Sequence, residues 1–454
     1  MLSLGLYAET KPNVLIIFTD DQGYQDLGIF GAEGIKTPNI DKLASEGLVG
    51  RSFYVSTSVC TPSRAALQTG KYHYNVKLFS NGQKQKVYFP DTPAGMPQSE
   101  VTIAEMLKPL GYHTALIGKW HLGHQDEYLP IEQGYDYFYG IPYSNDMWLP
   151  ENMKYAKDIV LRKGFTMETM SKRATNKRPS LENGKEDPPL MRGNEVVEYP
   201  ADQATLTERY VDETIKFIEN AKGEPFFVCL TPAMPHDPQF VTDKFKGVSS
   251  RGTYGDCIAE IDANVGRLVA YLKEKNLFDN TIIFYTSDNG PYLKANKYGK
   301  ALPLKGGKFG LNEGGLRVPF LVTYPKLIKA NTDTFEIMSS IDIMPTIAEL
   351  TGAKTPEGID GVSLLSFLSG KTKTSPRDEF TYAGSNVAAI TGFRKGDWKL
   401  VKNGNANAKN SQGYVLYNLK DDIGEKTDLA KKHPEKVQEL KALLDERNAK
   451  FKKQ

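Results

Sequence analysis

The stretch Val14–Asp21, VLIIFTDD, decides the fold: five apolar residues, mostly aliphatic, run directly into a pair of carboxylates. A short unbroken apolar run of this kind suits a strand buried on both faces, as in a helix-covered parallel sheet. Three further stretches repeat the design. TALIGKWH (114–121) places a strand at Thr114–Ile117 and then Lys119 and His121; FFVCLTPAMPH (226–236) places one at Phe226–Leu230 and then His236. TIIFYTSDNG (281–290) places the fourth at Thr281–Tyr285 and then Asp288 and Asn289. Amphipathic helices fill the intervals: Leu206, Tyr210, Val211, Ile215 and Ile218 share one helical face, as do Ile258, Ile261, Val265, Leu268, Val269 and Leu272. Alternation of buried strands with crossover helices predicts an α/β fold with a large, mostly parallel sheet between helices.

Beyond the Gly- and Thr-rich stretch Ser369–Ser375 the pattern changes to short strands, among them Asp397–Val401 and Tyr414–Asn418, and then a helix opening at Pro434. The chain is therefore divided into residues 1–372 and a smaller α+β domain at 373–454. The segment Glu151–Ser180 carries eight Lys or Arg against three Asp or Glu with little periodicity, and is expected to be an irregular surface insertion.

Composition narrows the function classes. The 454 residues are 40% hydrophobic and 25% charged with a net charge of +2, so nothing in the bulk charge points to nucleic acid as a partner. No apolar run approaches the roughly 18 residues of a membrane span. Three cysteines, Cys60, Cys229 and Cys257, are too few for a disulfide framework. The apolar residues 2–9, LSLGLYAE, resemble the stump of an export signal and give an expectation of a secreted or periplasmic protein.

Ligands of an open α/β sheet sit beyond the carboxyl ends of its strands. The four strand ends therefore define one site. Asp20, Asp21, Asp288 and Asn289 are oxygen donors, a set that fits hard Ca²⁺ or Mg²⁺ better than zinc, and three carboxylates crowded together need a cation. Lys119 and His121, two apart, leave one face of a chain that stays extended. In STSVCTPSRAALQTGKY (56–72) Pro62 and Gly70 bracket a short helix with Cys60 at its N-terminus and Arg64 within reach. Cys60 is there either a buried small residue or a thiolate nucleophile with a lowered pKa. The polar and aromatic side chains Tyr143, Asn145, Asp146 and Trp148 of GIPYSNDMW are candidate sugar contacts.

CTPSR at 60–64 resembles the signature of type I sulfatases, Cys-x-Pro-x-Arg, in which a maturation enzyme converts the cysteine to formylglycine. Around it VLIIFTDDQG, GKWHLG, a Pro-His after a β-run, SDNG, GGKFGLNEGGLRVP and LYNLKDDIGEKTDLA resemble further family motifs in the expected order. The resemblance implies the alkaline phosphatase-like fold, with a mixed sheet and a C-terminal domain built on a four-stranded antiparallel sheet. It also implies Ca²⁺ on Asp20, Asp21, Asp288, Asn289 and the modified Cys60, with Arg64, Lys119, His121, His236 and Lys305 around the sulfate. Lys305 comes from the resemblance alone. The partner it implies is a formylglycine-generating enzyme; the candidate sugar contacts of GIPYSNDMW, the basic segment and the expected export favour a sulfated carbohydrate, a galactan or glycosaminoglycan, as substrate. Two rivals remain: a phosphoester or phosphonate hydrolase of the same superfamily, and a non-catalytic sulfated-glycan binder with Cys60 left as a thiol.

Overall fold

The computed structural model describes residues 11–78, 86–174, 187–294, 298–384, 390–402 and 413–451. The apolar stump at 2–9 and the end of the basic segment, 175–180, lie outside them. Eleven strands form the main sheet: β1 (Asn13–Thr19), β2 (Leu48–Tyr54), β3 (His113–Lys119), β4 (Tyr137–Ile141), β5 (Lys154–Leu161), β6 (Leu190–Arg192), β7 (Glu195–Tyr199), β8 (Phe226–Thr231), β9 (Thr281–Ser287), β10 (Phe320–Thr323) and β11 (Thr332–Ser339). Their order is β11-β2-β10-β9-β1-β8-β3-β4-β6-β7-β5. The centre, β9-β1-β8-β3-β4, is parallel, while β10 runs antiparallel to both β9 and β2. The sheet is thus mixed and mostly parallel, and the four strands read from sequence are neighbours at its middle.

Successive side chains of β1 point to opposite faces, and both faces are dry. Val14, Ile16 and Phe18 enter one core with Ala65 and Leu67 of the helix Cys60–Thr69; Leu15 and Ile17 enter the other with Tyr210, Ile258 and Leu268. Burial on both sides explains the unbroken apolar runs. The crossover helices are Leu206–Asn220 and Gly252–Glu274.

Register aligns the strand ends. Thr19 lies opposite Ser287, and Ile17 and Ile117 both lie opposite Leu230, so the segments after β1, β3, β8 and β9 emerge together. Close approach is needed here: a Cβ on Gly118, which has φ of 121°, would come 2.0 Å from the Thr231 carbonyl oxygen. Only glycine lets β3 and β8 meet this tightly.

A second, antiparallel sheet follows: β12 (Glu379–Ala383), β13 (Ile390–Lys395), β14 (Trp398–Lys402) and β15 (Tyr414–Asn418). The helix Pro434–Phe451 lays Leu440 and Leu444 on Phe393, Leu400 and Leu416. A buried ionic seam joins the two sheets. Lys399 Nζ of β14 lies 2.9 Å from Glu313 Oε1, 2.8 Å from Glu425 Oε1 and 2.9 Å from the Leu311 carbonyl oxygen. Tyr382 and Tyr54 donate their hydroxyls to the two oxygens of Glu313.

One expectation is corrected. Within the basic segment Glu151–Ser180, Lys154–Leu161 forms the edge strand β5, paired with β7, and Met167–Arg173 is a helix opened by a Thr166 capping box. The β5–β7 register shifts between Tyr155 and Val160, and that break disrupts the alternation a strand would otherwise display.

Candidate active site

Beyond the carboxyl ends of the central strands Asp20, Asp21, Cys60, Arg64, Lys119, His121, Asp288 and Asn289 are all buried, and His236 is 8% exposed. They form one charged cluster. Lys119 Nζ sits 2.5 Å from Asp20 Oδ2 and donates to Ser144 Oγ at 3.1 Å. Arg64 Nε donates to Asp288 Oδ2 at 3.0 Å and its Nη1 to the Lys119 carbonyl at 3.0 Å. Asn289 Nδ2 donates to Asp21 Oδ1 at 2.7 Å. Cys60 opens the helix Cys60–Thr69, which ends on Gly70 in the left-handed conformation.

Two site residues, Asp21 at φ of 60° and His121 at 66°, hold left-handed backbones that non-glycine residues avoid. His121 is therefore not on an extended continuation of β3. The turn still delivers its ring to the cluster. Such strain at a site is retained only where the surroundings enforce it. The glycine of SDNG has a packing reason too: a Cβ on Gly290 would lie 1.8 Å from the Gly314 carbonyl oxygen.

Electrostatics separates the carboxylates. Burial works to raise Asp20, but Lys119, His236 and Arg64 outweigh it and hold the carboxyl well below its usual range. Burial and the neighbouring Asp20 push Asp288 up to about 7. Burial also raises the Cys60 thiol, against the opposing pull of Lys119 and Lys308. This overturns the expectation of a lowered pKa: desolvation of the thiolate exceeds what the helix start and the cations return. His121 is driven well below 6.5 by burial and Lys119, so its ring is neutral. Its Nε2 donates to the Tyr88 carbonyl at 2.9 Å, which leaves Nδ1 as a buried lone pair without a partner.

The donor set fits a hard cation. Asp20 Oδ1 and Asn289 Oδ1 are buried oxygens with no hydrogen-bond partner, and Asp20, Asp21 and His236 bring ligand atoms within 4.8 Å of one another. Unpartnered buried acceptors are costly and need an explanation such as an ion.

The structure does not bring Lys305 to this cluster. Lys305 is exposed and donates to the Glu425 carbonyl at 3.2 Å. Lys308 stands in the cluster instead, 2.7 Å from Asp21 Oδ1, with Asp21, Cys60 and Asp20 raising its pKa against burial. Sequence reading missed it because two lysines three apart share a glycine-rich loop without periodicity to choose between them. Only the structure separates them: the loop folds in at Gly307, where a Cβ would lie 2.3 Å from the Pro291 carbonyl oxygen.

A cleft of about 620 Å³ opens over the cluster, lined by Cys60, His121, Ser144, Asp146, His236 and Lys308. Tyr292 and Phe309 form part of its wall, edge to face at 5.5 Å. Of the candidate sugar contacts only Asp146 lines it. Tyr143 and Trp148 are buried in the core, with Tyr143 hydroxyl bonded to His124, and Asn145 lies behind His236. Large aromatic rings in GIPYSNDMW were more useful as packing than as a platform.

The sequence model of the Sulfatase family matches residues 12–353. The chain belongs to the sulfatase family. Residues 308–454 match a second model, that of the N-sulphoglucosamine sulphohydrolase C-terminal region. Arylsulfatase A of Bos taurus is 37% identical over 88% of this chain and 76% of its own length; human N-acetylgalactosamine-6-sulfatase is 33% identical over 85% and 70%. Among solved structures, the PsFucS1 sulfatase from Pseudoalteromonas sp. superposes with a TM-score of 0.82 at 30% identity, covering 98% of this chain and 91% of that one. The structure of Ps i-CgsB in complex with k-i-k-neocarrahexaose gives 0.81 at 29%, covering 97% and 93%. This sulfatase is accordingly a sulfuric ester hydrolase with the alkaline phosphatase-like fold of those neighbours. Among its described residues no helix is long and apolar enough to cross a membrane.

Proposed function

We propose that this sulfatase hydrolyses a sulfate ester on a sulfated carbohydrate of galactan or glycosaminoglycan type, with a formylglycine made from Cys60 and one bound Ca²⁺. The pair of orphaned oxygens, Asp20 Oδ1 and Asn289 Oδ1, in a cluster that also holds Cys60, carries the reading. Asp20, Asp21, Asp288 and Asn289 would hold the ion together with the modified residue at position 60. The formylglycine hydrate supplies a hydroxyl nucleophile, and calcium the field that acidifies it.

The remaining work falls to side chains already in place. Arg64, Lys119 and Lys308 balance three carboxylates, so a divalent cation leaves the pocket net positive, the sign an anionic ester requires. These groups steady sulfate oxygens as charge shifts. His236, at the cleft, donates the proton that a poor alkoxide leaving group needs. The lone pair of His121 Nδ1 accepts one on the Cys60 side. The raised Cys60 thiol argues against an unmodified thiolate as nucleophile.

The carbohydrate assignment draws on the neighbour solved with k-i-k-neocarrahexaose and the relative named N-acetylgalactosamine-6-sulfatase, and on the polar Ser144, Asp146 and Asp237 that line the cleft together with aromatic Tyr292. We place the protein in the periplasm or outside the cell, matured by a formylglycine-generating enzyme acting on CTPSR, and divide it into a catalytic domain at 1–372 and a smaller one at 373–454.

The test is sulfate release from defined sulfated oligosaccharides, by protein co-produced with that maturation enzyme and supplied with calcium. We expect release from one linkage class and a fall of at least about 10³-fold in Cys60→Ala, since the nucleophile is lost. No release with the aldehyde confirmed by mass spectrometry, or equal release by Cys60→Ala, overturns it.

A further inference from the structure

Asn145 reads from sequence as a sugar contact, yet it is fully buried and its amide is fixed on both sides. Nδ2 donates to the Pro238 carbonyl at 2.8 Å and to Gln203 Oε1 at 3.1 Å. A proline carbonyl can only accept, so the amide nitrogen must lie on that side and Oδ1 on the other. Oδ1 stands 3.0 Å from His236 Nδ1. An amide oxygen also can only accept, so Nδ1 of His236 must carry the hydrogen. Gln203 completes the clamp by donating Nε2 to the Asn145 backbone carbonyl at 3.2 Å.

The other ring nitrogen is thereby defined. In the neutral ring Nε2 holds the lone pair, and Nε2 is the nitrogen directed to the cluster, 3.8 Å from Asp21 Oδ2. We infer that Asn145 is a positioning residue that holds His236 in the Nδ1–H form, so that Nε2 is the atom that carries the proton to the departing oxygen. The inference rests on the reading of His236 as proton donor. Protonation at Nε2 leaves the Nδ1–H···Oδ1 bond unchanged, so one ring orientation serves before and after transfer. A neutral acceptor fixes the ring without the charge of a carboxylate, and therefore does not hold back the proton.

The tautomer and its consequence are separately measurable. In calcium-loaded, aldehyde-bearing enzyme labelled with ¹⁵N-histidine, six histidines give a tractable spectrum, and His236→Ala identifies the signals of residue 236. In samples taken to a pH high enough to leave the ring neutral, wild type should show a protonated Nδ1 and an unprotonated Nε2, and lowering the pH should add the proton at Nε2. Asn145→Ala should lose that pattern, and Asn145→Asp, which keeps the acceptor, should retain it.

The second readout is kcat/KM across aryl sulfates of increasingly poor leaving groups. Asn145→Ala should lose about 10- to 100-fold on the poorest and little on the most activated, the same tilt as His236→Ala but smaller. A wild-type ¹⁵N pattern in Asn145→Ala, or a uniform loss along the series, overturns the inference. A flat profile for His236→Ala would instead remove His236 as the donor and, with it, the catalytic half of the proposal. Should Asn145→Ala fail to fold, Asn145→Asp decides: an inverted tautomer there is equally fatal.

Discussion

Two clusters of buried charge, one holding Lys308 and the other Glu313 of the same loop, differ in one respect. In the seam between the sheets the carboxylate charges are paired: Tyr382 and Lys399 on Glu313 Oε1, Tyr54 on Oε2, and the Glu313 amide on Glu425 Oε2, while Glu425 Oε1 has the Lys399 ammonium 2.8 Å away but no hydrogen bond. At the strand ends Asp20 Oδ1, Asn289 Oδ1 and His121 Nδ1 have neither donor nor cation. Both clusters bear the cost of desolvation. The first recovers it within the fold; the second leaves acceptors open for an ion and a proton. A buried network whose charges are paired within the fold serves structure, and a group of acceptors with neither donor nor cation marks the place where chemistry is done.

Breaking the seam should cost stability rather than chemistry. Lys399→Met leaves the buried Glu425 carboxylate without its cation and Glu313 with only Arg317 at 3.6 Å, and about 3–5 kcal/mol of unfolding free energy should be lost in denaturant titration. An unchanged midpoint would mean the seam is not the anchor described here. Breaking the strand-end cluster should do the opposite. Lys308→Ala should lower kcat/KM about 10²- to 10³-fold with little change in melting temperature, whereas Lys305→Ala should change it by less than about threefold. The reverse ranking would return the role to Lys305.

The last of these effects is one of pH, and it concerns a second contact between the main sheet's domain and the segment that follows β12. His73 donates Nε2–H to the Gly384 carbonyl and takes the Ser56 hydroxyl at Nδ1, and burial lowers its pKa from 6.5 to about 4. The folded state therefore holds the neutral ring, and its contribution is complete above pH 6.5. The unfolded chain takes up the proton first as pH falls, so roughly 3 kcal/mol should be lost between 6.5 and 4. His73→Gln should flatten that part of the stability profile, read by unfolding at stepped pH; an unaltered slope would mean His73 is already charged in the fold.

The centre of the sheet was legible because its strands are buried on both faces and end in chemistry: β1, β3, β8 and β9 all announce themselves by apolar runs followed by Asp, Lys, His or Asn. Strand β2, by contrast, is interrupted by Gly50 and Arg51, and β5 has the exposed edge and register shift that erase alternation. Residues whose placement depends on a loop's path were the hard ones. Nothing local separates Lys305 from Lys308, since a fold-in at Gly307 and a brace from another sheet decide which enters. Likewise Asn145 and Asp146 are adjacent, and only tertiary packing turns one to the cleft and the other to the back of a histidine.

The seam also has a bearing on synthesis. Glu313 closes the loop that carries Lys308, and its partner Lys399 lies 86 residues further along. Until that lysine leaves the ribosome, the loop is held only by its bonds to Pro291 and Ser58 and by Tyr54 on Glu313, and the buried Glu313 carboxylate lacks its main cation. Competence therefore arrives late, and a chain cut short before β14 would carry every cluster residue named above and still lack the ionic part of the brace on the loop that holds Lys308.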